Sequence, residues 1–198
     1  MQEADLAQRL AAAGLNYLGM ADVSAPLVPP RLAAFADSAA AGGREWAVSV
    51  ENGAEDFRER VNHEWYLLCA GRGLFDREDP RFFVAAATTM TTSGQDGDTQ
   101  QVSWWAEVAL RSEWDLAGAG AEAQVTGRGQ GHPDFVMLSL DGTVIVRGSQ
   151  GQKWTDIVCL QHAEQVSSFR EMGVSMTRNE AIPSRTREAL TRWLDHTA

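Results

Sequence analysis

Residues 101–114 read QVSWWAEVALRSEW, a stretch in which two tryptophans stand side by side at positions 104 and 105. Successive side chains of a β-strand point to opposite faces of the sheet. The residues of one face are apolar, namely Val102, Trp104, Ala106, Val108, Leu110 and Trp114. The residues of the other face are mostly polar, namely Ser103, Trp105, Glu107, Ala109, Arg111 and Glu113. The pattern predicts an amphipathic strand whose first face enters a core and whose second face meets solvent.

Trp105 decides how the second face is interpreted, because it stands among charged residues. A tryptophan flanked by charges on an exposed strand is typical of residues that anchor a protein interface. Phe83 follows Phe82, so this pair also places one ring on each face, and Phe83 is expected near Trp105 if the register allows. The predicted partner-binding residues are Trp105, Glu107, Arg111, Glu113 and Phe83. Two alternatives stay open: a helix, such as a C-terminal one bearing Trp193, covers this face, or the face lines a ligand pocket.

The neighbouring segments extend the strand into a sheet. Residues 82–91 are apolar and β-branched toward their end, and residues 93–98 are turn formers. Together with residues 101–114 they predict a long hairpin. Further along the chain, Asp141-Gly142 lies between two β-rich runs and predicts a type I′ hairpin turn.

The rest of the chain divides into further strands and terminal helices. Strand-like patterns occur at residues 46–50, 63–70 and 154–160, and helical patterns at residues 3–13, 31–41 and 182–196. This grouping predicts one α+β domain over residues 1–198, with a central, mainly antiparallel sheet of six or seven strands and helices at the N- and C-termini. The small-residue run at 117–121 is a candidate hinge inside that domain.

Charge and composition narrow the class of partner. The net charge of −10 argues against nucleic-acid binding, which needs clustered Lys and Arg. It favours a basic protein partner or a cationic ligand. No apolar run approaches the roughly 18 residues of a membrane span, and the N-terminus lacks a signal-peptide pattern, so we expect a cytoplasmic protein without membrane contact. Cys69 and Cys159 lie in apolar segments and are expected to be buried, reduced thiols.

The sequence contains no complete motif for metal binding, phosphate binding or catalysis. Cys159-x-x-His162 is one half of a zinc-type spacing without a second half, so neither a metal nor a cofactor is expected. The Gly-rich residues 127–132 precede a strand rather than a helix, which does not suit a phosphate loop. Candidate general acids or bases are limited to scattered residues: Glu51, Asp56, Glu64, Glu107 and His132.

Two functional hypotheses follow from the sequence. The first is a non-catalytic acidic binding protein, of the immunity or chaperone type, that engages a basic protein through the aromatic and charged sheet face. The alternative is a ligand binder or a cofactor-free, cyclase-like enzyme whose aromatic-lined cavity takes a hydrophobic small molecule. In the enzymatic form, Glu107, Asp56 or His132 would act as acid or base.

Overall fold

The computed structural model describes residues 2–39, 42–91, 99–127, 129 and 132–197. Its centre is a seven-stranded sheet in which the strands follow the order β1-β4-β3-β5-β6-β7-β2. Every pair of neighbouring strands is antiparallel. The strands are β1 (Leu15–Met20), β2 (Glu45–Glu51), β3 (Arg81–Thr91), β4 (Thr99–Leu110), β5 (Phe135–Leu138), β6 (Val144–Gln150) and β7 (Trp154–Gln161).

Helices cover both faces of this sheet. They are α1 (Glu3–Ala12), α2 (Pro30–Ala33), α3 (Phe57–Arg72), α4 (Ser167–Thr177) and α5 (Ser184–His196). Short 3₁₀ turns occur at Ala36–Ser38 and Ala163–Gln165, and a π-helical turn at Leu116–Gly120. The predicted α+β class, with an antiparallel sheet and helices at both ends of the chain, is confirmed.

Two hydrophobic cores result, one on each face of the sheet. The first core joins α1 and α3 to the sheet and is centred on Trp65, which lies against Phe82 and edge-on to Trp114. The second core joins α2, α4 and α5 to the opposite face and contains Phe169 and Trp193 in edge-to-face contact. Because both faces are covered, strand β5 is buried along its whole length.

The two predicted hairpins are present. Strands β3 and β4 pair in register from Arg81 opposite Ala109 to Thr91 opposite Thr99. The turn predicted at residues 93–98 lies outside the described residues. Strands β5, β6 and β7 form an antiparallel meander, which contains the hairpin predicted at Asp141-Gly142 and the strand predicted at 154–160. Alternation of apolar and polar residues identified β4, whereas β3, β5 and β6 were identified as apolar or β-rich runs beside turn-forming residues.

The turn at Asp141-Gly142 differs from the predicted type I′ geometry. A type I′ turn needs positive φ at both central residues, and Asp141 is absent from the non-glycine residues with positive φ in the described chain. The Gly142 N–H donates to the Ser139 carbonyl at 2.9 Å, so Leu140 and Asp141 occupy the centre of the turn. The Asp141 carboxylate also accepts from the Thr143 backbone N–H at 3.0 Å, and this local bonding selects the turn.

The prediction of a strand at residues 63–70 is wrong, because these residues belong to α3. Val61, Trp65 and Cys69 lie four residues apart and form one buried stripe of the helix. Gly73 ends the helix in the left-handed conformation, with φ of 80°. A short apolar run fits a helix as well as a strand, and the length of α3 could have separated the two.

Three further elements depart from the prediction. The helix expected at 31–41 is reduced to α2 and the turn at Ala36–Ser38, while residues 40–41 lie outside the described chain. Strand β1 and helix α4 were not predicted. The pairing of β1 with β4 is interrupted by a register shift between Tyr17 and Gly19, which breaks the period-two pattern that identifies strands.

The candidate hinge at 117–121 overlaps the π-helical turn, which is bonded to α3. The Asn62 side chain accepts from the Leu116 and Ala117 backbone N–H groups at 3.1 and 3.0 Å and donates to Asp115 at 2.8 Å. Asp115 in turn accepts from the N–H groups of residues 118 and 119 at 2.8 Å. Partial burial raises the pKa of Asp115, but these hydrogen bonds outweigh it and hold the pKa below the usual aspartate value. A Cβ at Gly118 would collide with the Asp115 carboxylate.

Replacing Asn62 by alanine is therefore expected to destabilise the protein. The Asn62→Ala variant leaves two backbone N–H groups without their acceptor and removes one of the two donors to Asp115 Oδ1, which costs about 1–3 kcal/mol. The free energy of unfolding in urea measures the effect. Glu122→Gln is the control, because it removes only the exposed ion pair with Arg58 and is expected to change stability by less than about 0.5 kcal/mol. Equal losses in the two variants would contradict the role given to Asn62.

Candidate functional site

Trp105 is fully buried, so the prediction that it stands on a solvent-facing surface is wrong. Its side chain is 0% exposed and belongs to the second core. The indole Nε1–H donates to the Val28 carbonyl at 2.8 Å, and Val28 lies in the segment that leads from β1 to α2. This face is therefore covered by other elements, which was one of the two alternatives. The segment between β1 and α2 is the covering element that bonds Trp105.

The other predicted partner-binding residues are dispersed. Phe83 is buried in the same core as Trp105. The Glu107 carboxylate lies 3.4 Å from Arg81 Nη1 at a partly exposed position. Arg111 and Glu113 are exposed but follow the end of β4. These five residues do not form a continuous surface, because Trp105 and Phe83 are covered.

Trp104 is buried as predicted, but against the second core. It pairs with Ala86, and alternation places its backbone position on the face of Ala106. The indole nevertheless belongs to the second core and is only 4% exposed. Residue pairing between β1 and β4 ends at Ala106, and the Ala21 N–H donates to the Trp105 carbonyl at 2.9 Å just beyond it. Among the described residues, Trp104 Nε1 has no hydrogen-bond partner.

Trp104 lines a cavity of about 500 Å³. The walls come from residues 23–31, from β4 and from the start of α5. The apolar lining residues are Val23, Pro29, Pro30, Trp104, Pro183 and Ala189. The prolines restrict the backbone of two of the three walls, so much of the cavity shape is fixed by local chain geometry.

The polar lining of this cavity is mainly cationic. It includes three arginines and one carboxylate, namely Arg31, Arg185, Arg192 and Glu188. The hydroxyl residues Ser24, Ser103 and Thr186 complete the polar lining. The cavity is thus locally cationic in a chain whose net charge is −10.

Arg192 connects α5 to the segment that forms the opposite wall. Its Nη2 donates to the Val23 carbonyl at 2.7 Å. Its Nε is buried and has no partner within the described part of the chain. Asp22 accepts from the Ser24 backbone N–H at 2.8 Å, and this bond lowers the pKa of Asp22, with a smaller contribution from the charge of Arg192.

Helix α5 begins at the cavity without the usual capping groups. Pro183 occupies the N-cap position, and none of the described side chains caps the helix start. The first turn contains no acidic residue, and Arg185 and Arg187 lie there instead. Backbone N–H groups of a first helical turn have no intrahelical partner and favour negative charge.

The candidate acids and bases, and the Cys159-x-x-His162 pair, lie away from the cavity. Glu107, Asp56 and His132 are not among its lining residues, and His132 Nδ1 lies 2.6 Å from the Gln150 side-chain oxygen. Cys159 is buried in the first core, where burial raises the pKa of its thiol to about 12, whereas His162 is exposed at the end of β7. The predicted burial of both thiols is confirmed.

The described residues contain neither a metal-binding cluster nor a membrane-spanning helix. Within residues 2–39, 42–91, 99–127, 129 and 132–197, no three His, Cys, Asp or Glu side chains cluster in a way that could hold a metal ion. In the same residues, no helix is both long enough and apolar enough to cross a membrane. Residues 128, 130 and 131 of the Gly-rich segment lie outside the described chain.

Sequence reasoning missed the arginines of the cavity. Arg185 and Arg187 fall in the first turn of a helix that was predicted, where acidic residues are preferred. That reversal of the usual charge pattern was a readable signal. The contribution of residues 23–31 had no comparable signal, because the position of this segment depends on tertiary contacts. Comparison of the chain with protein-family models, with curated proteins and with solved structures gave no match.

The structural role of Trp105 predicts a loss of stability on conservative replacement. Trp105→Phe retains an aromatic ring but leaves the buried Val28 carbonyl without its donor, which costs about 1–3 kcal/mol. Trp154→Phe serves as control, because Trp154 is 48% exposed and the change is expected to stay within about 0.5 kcal/mol. Thermal and urea unfolding compare the two. A Trp105→Phe variant as stable as the wild type would contradict the structural role given to the Trp105–Val28 hydrogen bond.

Proposed function

We propose that the protein is a non-catalytic binding protein that takes a small, partly apolar molecule into the cavity between residues 23–31, β4 and α5. The observation that carries the proposal is the wall formed by Trp104, a buried indole whose N–H has no partner among the described residues. A buried donor without an acceptor loses free energy that a ligand acceptor would restore.

The size and the lining of the cavity suit such a ligand. A volume of about 500 Å³ lies within the roughly 300–1,000 Å³ of small-molecule sites. An aromatic wall, proline-rich backbone and a few polar groups match the mixed lining of those sites. Because the prolines restrict the backbone before the ligand arrives, less conformational entropy is lost on binding.

The lining favours binding over cyclisation. A cyclase needs an acid or base at the substrate, and the candidates Glu107, Asp56 and His132 are not lining residues. Glu188 is the carboxylate that lines the cavity, and it is exposed. The proposal includes a reducing, cytoplasmic location, which suits two buried free thiols.

An uncharged fluorescent probe, phenylnaphthylamine, tests whether the cavity binds small apolar molecules. We expect saturable binding of one probe per chain, with increased emission. Ser103→Phe places a ring in the cavity from an exposed strand position and is expected to weaken binding by roughly tenfold or more, since a filled cavity excludes the probe.

Ser112→Phe is the matched control, because Ser112 is exposed and is not a lining residue. Near-ultraviolet circular dichroism verifies that both variants keep fixed tertiary packing, since loosely packed states also bind such dyes. Equal affinity in the two variants would place the probe outside the cavity and contradict the proposal.

A second candidate function, binding of a basic protein, is favoured by the uncovered end of the sheet. On the second face, Trp154 of β7 is exposed and lies opposite Glu51 of β2. Asp156 lies opposite Ser49 and accepts its hydroxyl at 2.5 Å. An exposed tryptophan beside carboxylates resembles the surface first predicted around Trp105, and the net charge of −10 would steer a basic partner.

Site-specific photo-crosslinking in cells tests this second candidate. A photoreactive residue in place of Trp154 is expected to give an adduct of one discrete mass, because the partner covers that position. The same residue at Leu67, an exposed position of α3, is expected to give none. Glu51→Lys should abolish the adduct at position 154 through charge repulsion. Equal adducts at both positions, or persistence with Glu51→Lys, would contradict a charge-guided interface.

A further inference from the structure

We infer that the ligand of the cavity carries an acidic oxyanion group, a carboxylate, sulfonate or phosphate, which is seated at the start of α5. The inference rests on the proposed small-molecule function and adds the chemical class of the ligand. Net charge alone favours a cationic ligand, but the charges that line the cavity are the opposite of the average over the chain.

The first observation is the local charge. Arg31, Arg185 and Arg192 line the cavity against Glu188 as the lining carboxylate, within a chain of net charge −10. None of the three arginines takes part in a side-chain ion pair among the described residues within 4.0 Å. Asp22 is ionised and lies near Arg192, since the Ser24 hydrogen bonds and the charge of Arg192 lower its pKa, but it is not a lining residue, so the charged lining keeps three arginines against one carboxylate. Arginine binds planar oxyanions through paired hydrogen bonds.

The second observation is the start of α5, a helix of 13 residues. The N-terminal end of a helix carries partial positive charge, and its first N–H groups need acceptors. Here Pro183 supplies no side-chain cap, and Arg185 and Arg187 add positive charge where acidic residues are normally found. A bound anion would accept from the free N–H groups and offset the unfavourable placement of both arginines.

The third observation is independent of the helix. Trp104 and Arg192 both line the cavity, and Trp104 Nε1 and Arg192 Nε are buried donors without a partner in the described part of the chain. Trp104 itself is only 4% exposed, so water gives it little compensation. A neutral hydrocarbon would leave both donors unpaired, whereas an oxyanion supplies several acceptor lone pairs. The ligand class that satisfies the donors is therefore also the class that the charges favour.

Two probes with the same ring system separate this inference from the proposed function. Anilinonaphthalene sulfonate differs from phenylnaphthylamine by one sulfonate group. We expect the wild-type protein to bind anilinonaphthalene sulfonate at least roughly tenfold more tightly than phenylnaphthylamine, because the sulfonate adds charge-assisted hydrogen bonds. Arg185→Gln should weaken sulfonate binding by roughly tenfold and change the affinity for the neutral probe by much less, because the neutral probe has no sulfonate to pair with the guanidinium.

Arg178→Gln is the matched control, because it removes the same charge from an exposed position outside the cavity. Arg185 is also exposed, so both variants are expected to fold, and their unfolding temperatures verify this. Equal affinity for the two probes, or equal effects of Arg185→Gln and Arg178→Gln, would overturn the oxyanion assignment while the cavity proposal stands. Failure of wild-type protein to bind either probe would overturn both.

Discussion

The hydrogen bond from Trp105 Nε1 to the Val28 carbonyl is the contact on which the arrangement of the second face depends. This bond holds the segment between β1 and α2 against strand β4. A buried carbonyl outside regular secondary structure needs a donor, and a buried indole needs an acceptor, so each satisfies the other. With this segment in place, residues 23–31 become one wall of a cavity whose other walls are β4 and α5.

Different contacts stabilise the helices on the first face of the sheet. Its core is a set of aromatic rings around Trp65, whose indole N–H is directed to the Met137 sulfur at 3.3 Å. Asn62, on the same helix, bonds the π-helical turn at Leu116–Gly120. Helix α3 therefore carries both the apolar contact with the sheet and the polar contact with the chain that leaves β4. These contacts fix where β4 ends and where the chain turns toward β5.

The distribution of charge separates the two functional candidates. Arginines concentrate at the cavity beside α5, whereas Glu51 and Asp156 lie with Trp154 on the uncovered end of the sheet. An average charge of −10 over the chain conceals both features. Short-range fields in partly buried sites depend on the nearest charged groups, because screening and solvent weaken the more distant ones. The residues that line each site, and not the net charge of the chain, therefore set the charge of the ligand or partner that the site favours.

The sequence by itself determined the antiparallel hairpins and the terminal helices, because these depend on local periodicity and turn residues. It did not determine which of the two cores contains Trp104. It misassigned residues 63–70, since a short apolar run fits either a strand or a helix. Only the tertiary structure decided that Trp105 is buried. Its nearest neighbours on the same face of the strand, Ser103 and Glu107, are polar, and the groups that cover Trp105 come from residues distant in the chain. The cavity likewise joins three segments remote in sequence, and no local pattern encodes their meeting.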